Sequence, residues 1–169
     1  MRRYFVMLLL ILVAFAPEAV GEHKTITDFE SSAFYKNQSL VKKWPVYDLR
    51  TGGQNNPYSF KDSENPYDAF GIDLTTRGQD IVRVSIQWHG QSAGHPPEFS
   101  EKKVELIKEI AYLFGLSAQS KRIVEYAKSQ QSKNYPGGSG VAPRKSLGKI
   151  SVHCGTTGAD LWIVLEIGS

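Results

Sequence analysis

The sequence contains almost no cysteine, since Cys154 is the only one among its 169 residues. A single thiol excludes an intramolecular disulfide, so the stability of the folded chain depends on its apolar core. Cys154 lies in an apolar stretch between His153 and Gly155, which favours a small buried hydrophobic residue over a reactive thiol.

The chain also lacks an apolar run long enough to span a membrane. The run from Tyr4 to Ala16 is much shorter than the roughly 20 residues that a transmembrane helix needs. The basic start Met1-Arg2-Arg3 precedes this run, and the small residues of Ala19-Val20-Gly21 follow it. This arrangement is typical of a secretory signal peptide.

We therefore predict that residues 1–21 are a signal peptide and that the mature chain starts at Glu22. The mature protein is expected to be periplasmic or secreted, with no stable membrane insertion after cleavage. Its 148 residues are enough for a single domain, 22–169, with a real core. An exported chain without disulfides fits a bacterial envelope better than a eukaryotic secretory route.

Apolar and polar residues alternate in two places, which predicts two β-hairpins. The first covers Phe70 to Trp88, and the second joins Ile150–Cys154 to Leu161–Ile167. Between the hairpins the apolar spacing becomes that of a helix, after Ser100 and again after Ser117. The pattern predicts an α+β domain: an antiparallel sheet of about four to five strands (two hairpins) with two main helices packed on one face.

The other segments are predicted to be short elements and loops. A capping-box pattern at Thr27 indicates a short helix from Asp28 to about Lys36. Trp44 to Asp48 fits a short edge strand, within a polar aromatic loop region that covers 44–69. Glycine, asparagine and proline predict loops at 51–65 and at 134–148.

The stretch Gly90-Gln91-Ser92-Ala93-Gly94 matches G-x-S-x-G, the motif in which α/β-hydrolases place a nucleophilic serine between a strand and a helix. A strand precedes the motif, but Pro96-Pro97 keep the residues before them, which follow Ser92, out of helical geometry. In the hydrolase order of serine, acid and histidine, Ser92 could use only Glu125 and His153. No catalytic residue is favoured, and a hydrolase with these three residues is kept as the alternative.

Ligand patterns for metals and cofactors are missing as well. His89 and His95 do not form a close zinc-binding pair, and Asp62, Glu64 and Asp68 lack the glycine and terminal glutamate of a calcium loop. No glycine-rich loop follows a strand and opens a helix. We predict no metal and no cofactor, and leave open whether His89, His95, His153 and Cys154 meet in space.

Aromatic residues are frequent in the polar region 44–69. Two Asn-Pro-Tyr sequences begin at Asn56 and Asn65, and exposed aromatic side chains supply much of the energy of protein interfaces. The alternative is that these rings pack over the sheet edge as a minor core. The candidate binding residues here are Trp44, Tyr47, Tyr58 and Tyr67.

Charge is distributed unevenly along the mature chain. Residues 22–100 carry eight Lys/Arg and ten Asp/Glu, whereas residues 101–169 carry ten and six. An exported basic surface indicates an acidic protein or a polyanionic envelope component as partner, and no nucleic-acid-binding motif is present. The candidate residues are Lys121, Arg122, Lys128, Arg144, Lys145 and Lys149, with Lys133, and they converge if the loop 134–148 lies beside the second main helix.

These observations favour a small binding or inhibitory module over an enzyme. Such a protein contacts another envelope or extracellular macromolecule, as periplasmic inhibitors and immunity proteins do. The alternative is the small serine-type hydrolase that uses Ser92.

Overall fold

The structure is a computed structural model that describes residues 24–62, 69–89, 98–131, 139–141, 143–157 and 160–167. Four helices and nine strands lie in these ranges. The helices are α1 (Ile26–Ser31), α2 (Ala33–Asn37), α3 (Glu101–Leu113) and α4 (Ser117–Gln131). The strands are β1 (Leu40–Lys43), β2 (Tyr47–Asp48), β3 (Gln54–Lys61), β4 (Ala69–Arg77), β5 (Asp80–Trp88), β6 (Ser139–Val141), β7 (Lys145–Ser146), β8 (Ile150–Thr157) and β9 (Asp160–Ile167).

All nine strands belong to one antiparallel sheet, with the order β1-β3-β4-β5-β9-β8-β6. The strand β2 pairs with β3 beside β1, and β7 pairs with β8 beside β6. The predicted fold class, an α+β domain with four to five strands and two main helices, is therefore wrong. The described part of the chain is mainly antiparallel sheet.

Three of the extra strands come from segments that were predicted to be loops. The strand β3 occupies most of 51–65, and β6 and β7 lie within 134–148. Pro57 is tolerated inside β3, although it has no N–H to donate, and its carbonyl accepts a hydrogen bond from the Trp44 N–H at 3.0 Å. Pairing with neighbours thus overrides a composition that favours turns.

Both predicted hairpins are present, as β4–β5 and β8–β9. The β4–β5 hairpin turns at Gly78, whose φ of 62° lies in the left-handed region that glycine adopts at no steric cost. The alternation continues through both strands, so Ile72, Leu74, Val84 and Ile86 point to one face and are fully buried.

The helix boundaries depend on local capping. The predicted single helix from Asp28 to Lys36 is two helices, because Ser32 is extended, ends α1 and accepts a hydrogen bond from the Tyr35 N–H at the start of α2. The capping box of α1 is formed by Thr25 and Asp28, and not at Thr27 as predicted. Ser100 caps α3 as predicted.

The apolar core lies on one face of the sheet. Phe29 and Phe34 pack against Tyr58 and Phe60 at one end, and the buried residues of α3 and α4, such as Ile107 and Ile123, join the same cluster. None of the helices in the described ranges is long and apolar enough to cross a membrane.

Candidate functional site

The sheet face opposite the helices carries the polar half of the strand alternation. We call it the open face, because the buried apolar residues of all four helices belong to the core cluster on the other side. Strand pairing arranges its residues in three rows across β3, β4, β5, β9 and β8. The rows are Asn55–Thr75–Arg83–Glu166–Ser151, Pro57–Asp73–Ser85–Val164–His153 and Ser59–Gly71–Gln87–Trp162–Gly155.

Val164 lies at the centre of this face and is only 3% exposed, yet it is outside the core cluster. Its side chain belongs to the open face, among the neighbours that strand pairing gives it. These neighbours are Ser85 and His153 across the sheet and Trp162 and Glu166 along β9. The open face is therefore buried at Val164, although Arg83 on the same face is exposed.

Four charged side chains, two of each sign, lie in or beside the first two rows. Arg83 is directly opposite Glu166 in the sheet register. Glu166 accepts a hydrogen bond from Arg144 Nη2 at 2.7 Å and another from Ser151 Oγ at 2.9 Å. The fourth group, Asp73, is partly buried, and burial raises the pKa of its carboxyl, while the nearby Arg83 and a hydrogen bond from Asn55 act in the opposite direction.

His153 packs edge-on against Trp162, with ring centroids 5.5 Å apart. Burial lowers the pKa of His153, and Glu166 opposes that shift, while Arg83 and Arg144 add to it. Its Nε2 atom is buried and has no hydrogen-bond partner among the described residues. The neutral form of the His153 imidazole is thus favoured, and this ring packs against the indole ring of Trp162.

Gln87 of the third row takes part in a polar contact near the end of β5. Asp160 accepts a hydrogen bond from Gln87 Nε2 at 2.8 Å, and its other carboxylate oxygen lies 2.8 Å from His89 Nδ1. His89 is exposed and lies just beyond the end of β5, whereas His153 lies in the second row. Among the described residues there is no group of three or more His, Cys, Asp or Glu side chains that could hold a metal ion.

The predicted hydrolase residues are not brought together where the structure describes them. Glu125 is exposed on α4 and lies 3.9 Å from Lys121, and α4 packs on the core face of β8. His153 points to the open face, so the sheet separates the two side chains. Ser92 and His95 lie outside the described residues.

The predicted aromatic binding residues have different environments. Trp44 and Tyr47 are 47% and 52% exposed, whereas Tyr58 is 1% exposed and lies in the core. The ring of Tyr58 packs over the sheet against Phe29, which agrees with the alternative of a minor core. Its hydroxyl donates a hydrogen bond to Glu30 Oε1 at 2.7 Å. Tyr67 lies outside the described residues.

The predicted basic residues do not form one surface. Lys121, Arg122 and Lys128 are exposed on α4, and Lys145 Nζ lies 5.3 Å from the Tyr126 ring centroid, next to that helix. Arg144 points to the open face, where Glu166 neutralises it. Lys149 is exposed after β7, and Lys133 lies outside the described residues.

No protein-family model, curated protein or solved structure matches this chain. The function of the chain must therefore be inferred from its own surfaces. Sequence reasoning missed the residues of the open face, although a signal was present: Arg83, Asp73 and Trp162 occupy the polar phase of predicted strands. These residues could be recognised as one group only from the strand order, which brings their strands side by side.

Proposed function

We propose that this protein is an exported binding module of the inhibitor or immunity type, which holds an acidic protein partner at one edge of its sheet. One observation carries the proposal. Apart from Tyr112, the exposed large hydrophobic residues of the described chain all lie between Leu40 and Tyr47. We call this segment the aromatic edge; it consists of Leu40, Val41, Lys42, Trp44, Val46 and Tyr47.

The aromatic edge is held in place by contacts to its neighbours. Lys42 Nζ lies 3.4 Å from the Trp44 ring centroid, and the Tyr47 hydroxyl accepts a hydrogen bond from Asn55 Nδ2 at 2.9 Å. A cation over the ring and a fixed hydroxyl reduce the side-chain entropy that binding would otherwise cost. Contiguous exposed apolar residues of this kind mark interaction sites in soluble proteins.

Side chains, and not free backbone groups, are the means of binding at this edge. The pairing of β1 with β3 shifts register between Leu40 and Lys42, and such bulges prevent another strand from adding to a sheet edge. The charged side chains of Lys42 and Lys43 also prevent another strand from pairing with this edge. The partner therefore covers the rings of Trp44 and Tyr47 with a folded surface.

The charge around the aromatic edge favours an acidic partner. Segment 40–61 contains four cations, Lys42, Lys43, Arg50 and Lys61, and a single acid, Asp48. Glu30 pairs with Lys43 at 2.5 Å, so Lys42, Arg50 and Lys61 remain to attract an acidic surface. Cations at the rim of an apolar patch speed association and select the partner.

The test is capture from envelope extract with the mature chain as bait. We expect the double variant Trp44→Ala/Tyr47→Ala to lose the captured protein, because truncation of an aromatic anchor often costs 2 kcal/mol or more, about thirtyfold in affinity. The matched control is Tyr112→Ala, which removes an aromatic ring that is 76% exposed on α3. Equal capture by the double variant and the wild type would exclude the aromatic edge as the binding surface.

A further inference from the structure

The segment 143–146 runs along the edge of β8 that faces away from β9, and we call it the edge strap. Two of its residues pair with β8, Lys145 and Ser146. The strap also contacts α4, where the Pro143 carbonyl accepts a hydrogen bond from the Tyr126 hydroxyl. All four strap residues are exposed. Because two paired residues supply little stability of their own, so short an element depends on its side-chain contacts.

Arg144 connects the strap to the open face. Its Nη2 atom donates a hydrogen bond to Glu166 Oε1 at 2.7 Å. Glu166 lies on β9, beyond β8, so the arginine side chain crosses the open face of β8 to reach it. Lys145 is opposite Val152 in an antiparallel pair. One position further along this pair, Arg144 lies beside His153, and the two side chains are neighbours on the same face.

His153 is held in a place that suits only the neutral imidazole. Its Nε2 atom is buried without a hydrogen-bond partner, and its ring packs edge-on against Trp162. A neutral imidazole carries one N–H and leaves the other nitrogen as a lone pair, whereas an imidazolium donates from both nitrogens. A buried charged donor without an acceptor is costly. The ring therefore has to move when it gains a proton.

The charged groups around His153 determine where the ring moves. Glu166 on β9 attracts a protonated imidazole, whereas Arg83 on β5 and Arg144 of the strap repel it. Asp73 lies in the same row as His153 but three strands away, at about 14 Å, and the two residues between them carry no charge. A protonated His153 thus makes a third cation around the Glu166 carboxylate and competes with Arg144 for it.

We propose that His153 is an acid-operated release for the edge strap. A proton taken from solvent turns the imidazole toward Glu166, where it displaces the guanidinium of Arg144, and the strap leaves the edge of β8. Leu147, which follows the strap, is fully buried and stays in the core, so the release is local. The strap lies at the opposite end of the sheet from the aromatic edge, and its release does not depend on the proposed protein partner.

The direction of the pH dependence follows from the closed state. Burial lowers the pKa of His153 from its ordinary value of 6.5, Glu166 opposes this shift, and the two arginines add to it. The closed strap therefore binds the proton less well than the released strap. The closed form is favoured above pH 6.5 and is lost as the pH falls through the lowered pKa of its histidine.

The test is a nuclear magnetic resonance titration of the mature chain from about pH 7.5 to about pH 5, where histidine is the side chain whose ordinary pKa is crossed. We expect the His153 ring and the backbone amides of Lys145 and Ser146 to change with one common midpoint below pH 6.5. Exchange of the strap amides with solvent, corrected for the intrinsic effect of pH, should rise by about tenfold or more across this midpoint.

Three variants separate the trigger from the contact that it breaks. His153→Gln keeps a polar side chain that takes up no proton, so the strap amides should no longer titrate. The matched control is His89→Gln, which removes an exposed histidine outside the strap and should leave the transition as in the wild type. Arg144→Gln removes the competing cation. Its strap should exchange rapidly at both ends of the pH range, and the midpoint of His153 should rise because a repelling charge is lost.

A strap that stays protected down to about pH 5 in the wild type overturns the inference. A transition that His153→Gln leaves unchanged overturns it as well, because another group would then be the trigger. Should His153→Gln fail to fold, Arg144→Gln decides the question. If the strap of that variant is as protected at neutral pH as the wild-type strap, the contact between Arg144 and Glu166 does not hold it and the inference is wrong.

Discussion

The Tyr58 hydroxyl donates a hydrogen bond to Glu30 Oε1 over 2.7 Å and so joins the first helix to the sheet. The same carboxylate oxygen contacts Lys43 Nζ at 2.5 Å. Burial raises the pKa of Glu30, but the hydrogen bonds from Lys43 and Tyr58 outweigh it, so the net pKa is lowered. One carboxylate thus connects α1, β1 and β3, next to the aromatic edge.

Replacement of Tyr58 by Phe should destabilise the protein by about 1–2 kcal/mol, because a hydrogen bond to a charged acceptor is lost while the ring stays packed on Phe29. Urea unfolding followed by tryptophan fluorescence measures the change. The control is Tyr112→Phe, which removes a hydroxyl from an exposed ring. If both variants unfold at the same urea concentration, the Tyr58–Glu30 contact contributes no stability.

Asp73 provides a test of the open face through pH. Its pKa is raised in the folded state, so its contribution to stability is fully present below the unfolded pKa and is lost as the pH rises through the folded pKa. Asp73→Asn removes this cost, and we expect a higher melting temperature at pH 7. The gain should vanish below the ordinary carboxyl pKa of 3.8.

The matched control for the pH experiment is Asp48→Asn, which changes an exposed carboxylate. It should shift the melting temperature little, both at pH 7 and below pH 3.8. A destabilised Asp73→Asn variant at pH 7 would mean that the attraction of Arg83 and the hydrogen bond from Asn55 outweigh the burial of the carboxylate.

The sequence predicted those elements whose own pattern defines them. The alternation of Ile72, Leu74, Val84 and Ile86 and the cap at Ser100 needed no distant partner, and both hairpins and α3 were found. The strand β3 was missed because Asn55, Asn56 and Pro57 are poor strand formers, and its pairing with β1 and β4 is not visible in its own pattern. The rows of the open face depend on pairing between β5 and β9, far apart in sequence, so alternation alone could not assemble them.

The proposed export makes a direct prediction about processing. Expression of the full chain in a bacterial host should yield a mature protein that starts at Glu22, because the cleavage site at Ala19-Val20-Gly21 has small residues at both required positions. N-terminal sequencing of the envelope fraction measures this. A product that retains Met1 and stays in the cytoplasm would contradict the export proposal.

Ser92 is predicted to be a loop serine and not a nucleophile. Ser92→Ala should change stability by no more than a few tenths of a kcal/mol, as is usual for surface sites. Ser100→Ala is the contrasting variant, since it removes the N-cap of α3 and should cost about 1 kcal/mol. Labelling of the wild type, but not of Ser92→Ala, by a fluorophosphonate probe would instead establish a serine hydrolase.

Two clusters of three exposed cations allow the charge argument to be tested with a matched pair of variants. Lys42 is part of the aromatic edge, Arg50 and Lys61 follow it in segment 40–61, and Lys121, Arg122 and Lys128 lie on α4. Replacement of the first three by Ser should slow association with the captured protein about tenfold or more at low salt, because steering depends on the charges nearest the interface. Replacement of the second three should leave association unchanged.

Salt distinguishes the two clusters further, since attraction between exposed charges is screened over about 8–10 Å at physiological ionic strength. The association rate of the wild type should fall steeply as salt increases, and that of the Lys42→Ser/Arg50→Ser/Lys61→Ser variant should barely respond. The opposite result, with binding lost only from the α4 variant, would move the interface to the helix side of the sheet. The helix α4 lies beside β8, whereas the aromatic edge lies beside β3. Binding at α4 would therefore not involve the rings of Trp44 and Tyr47, and a polyanion would be the expected partner.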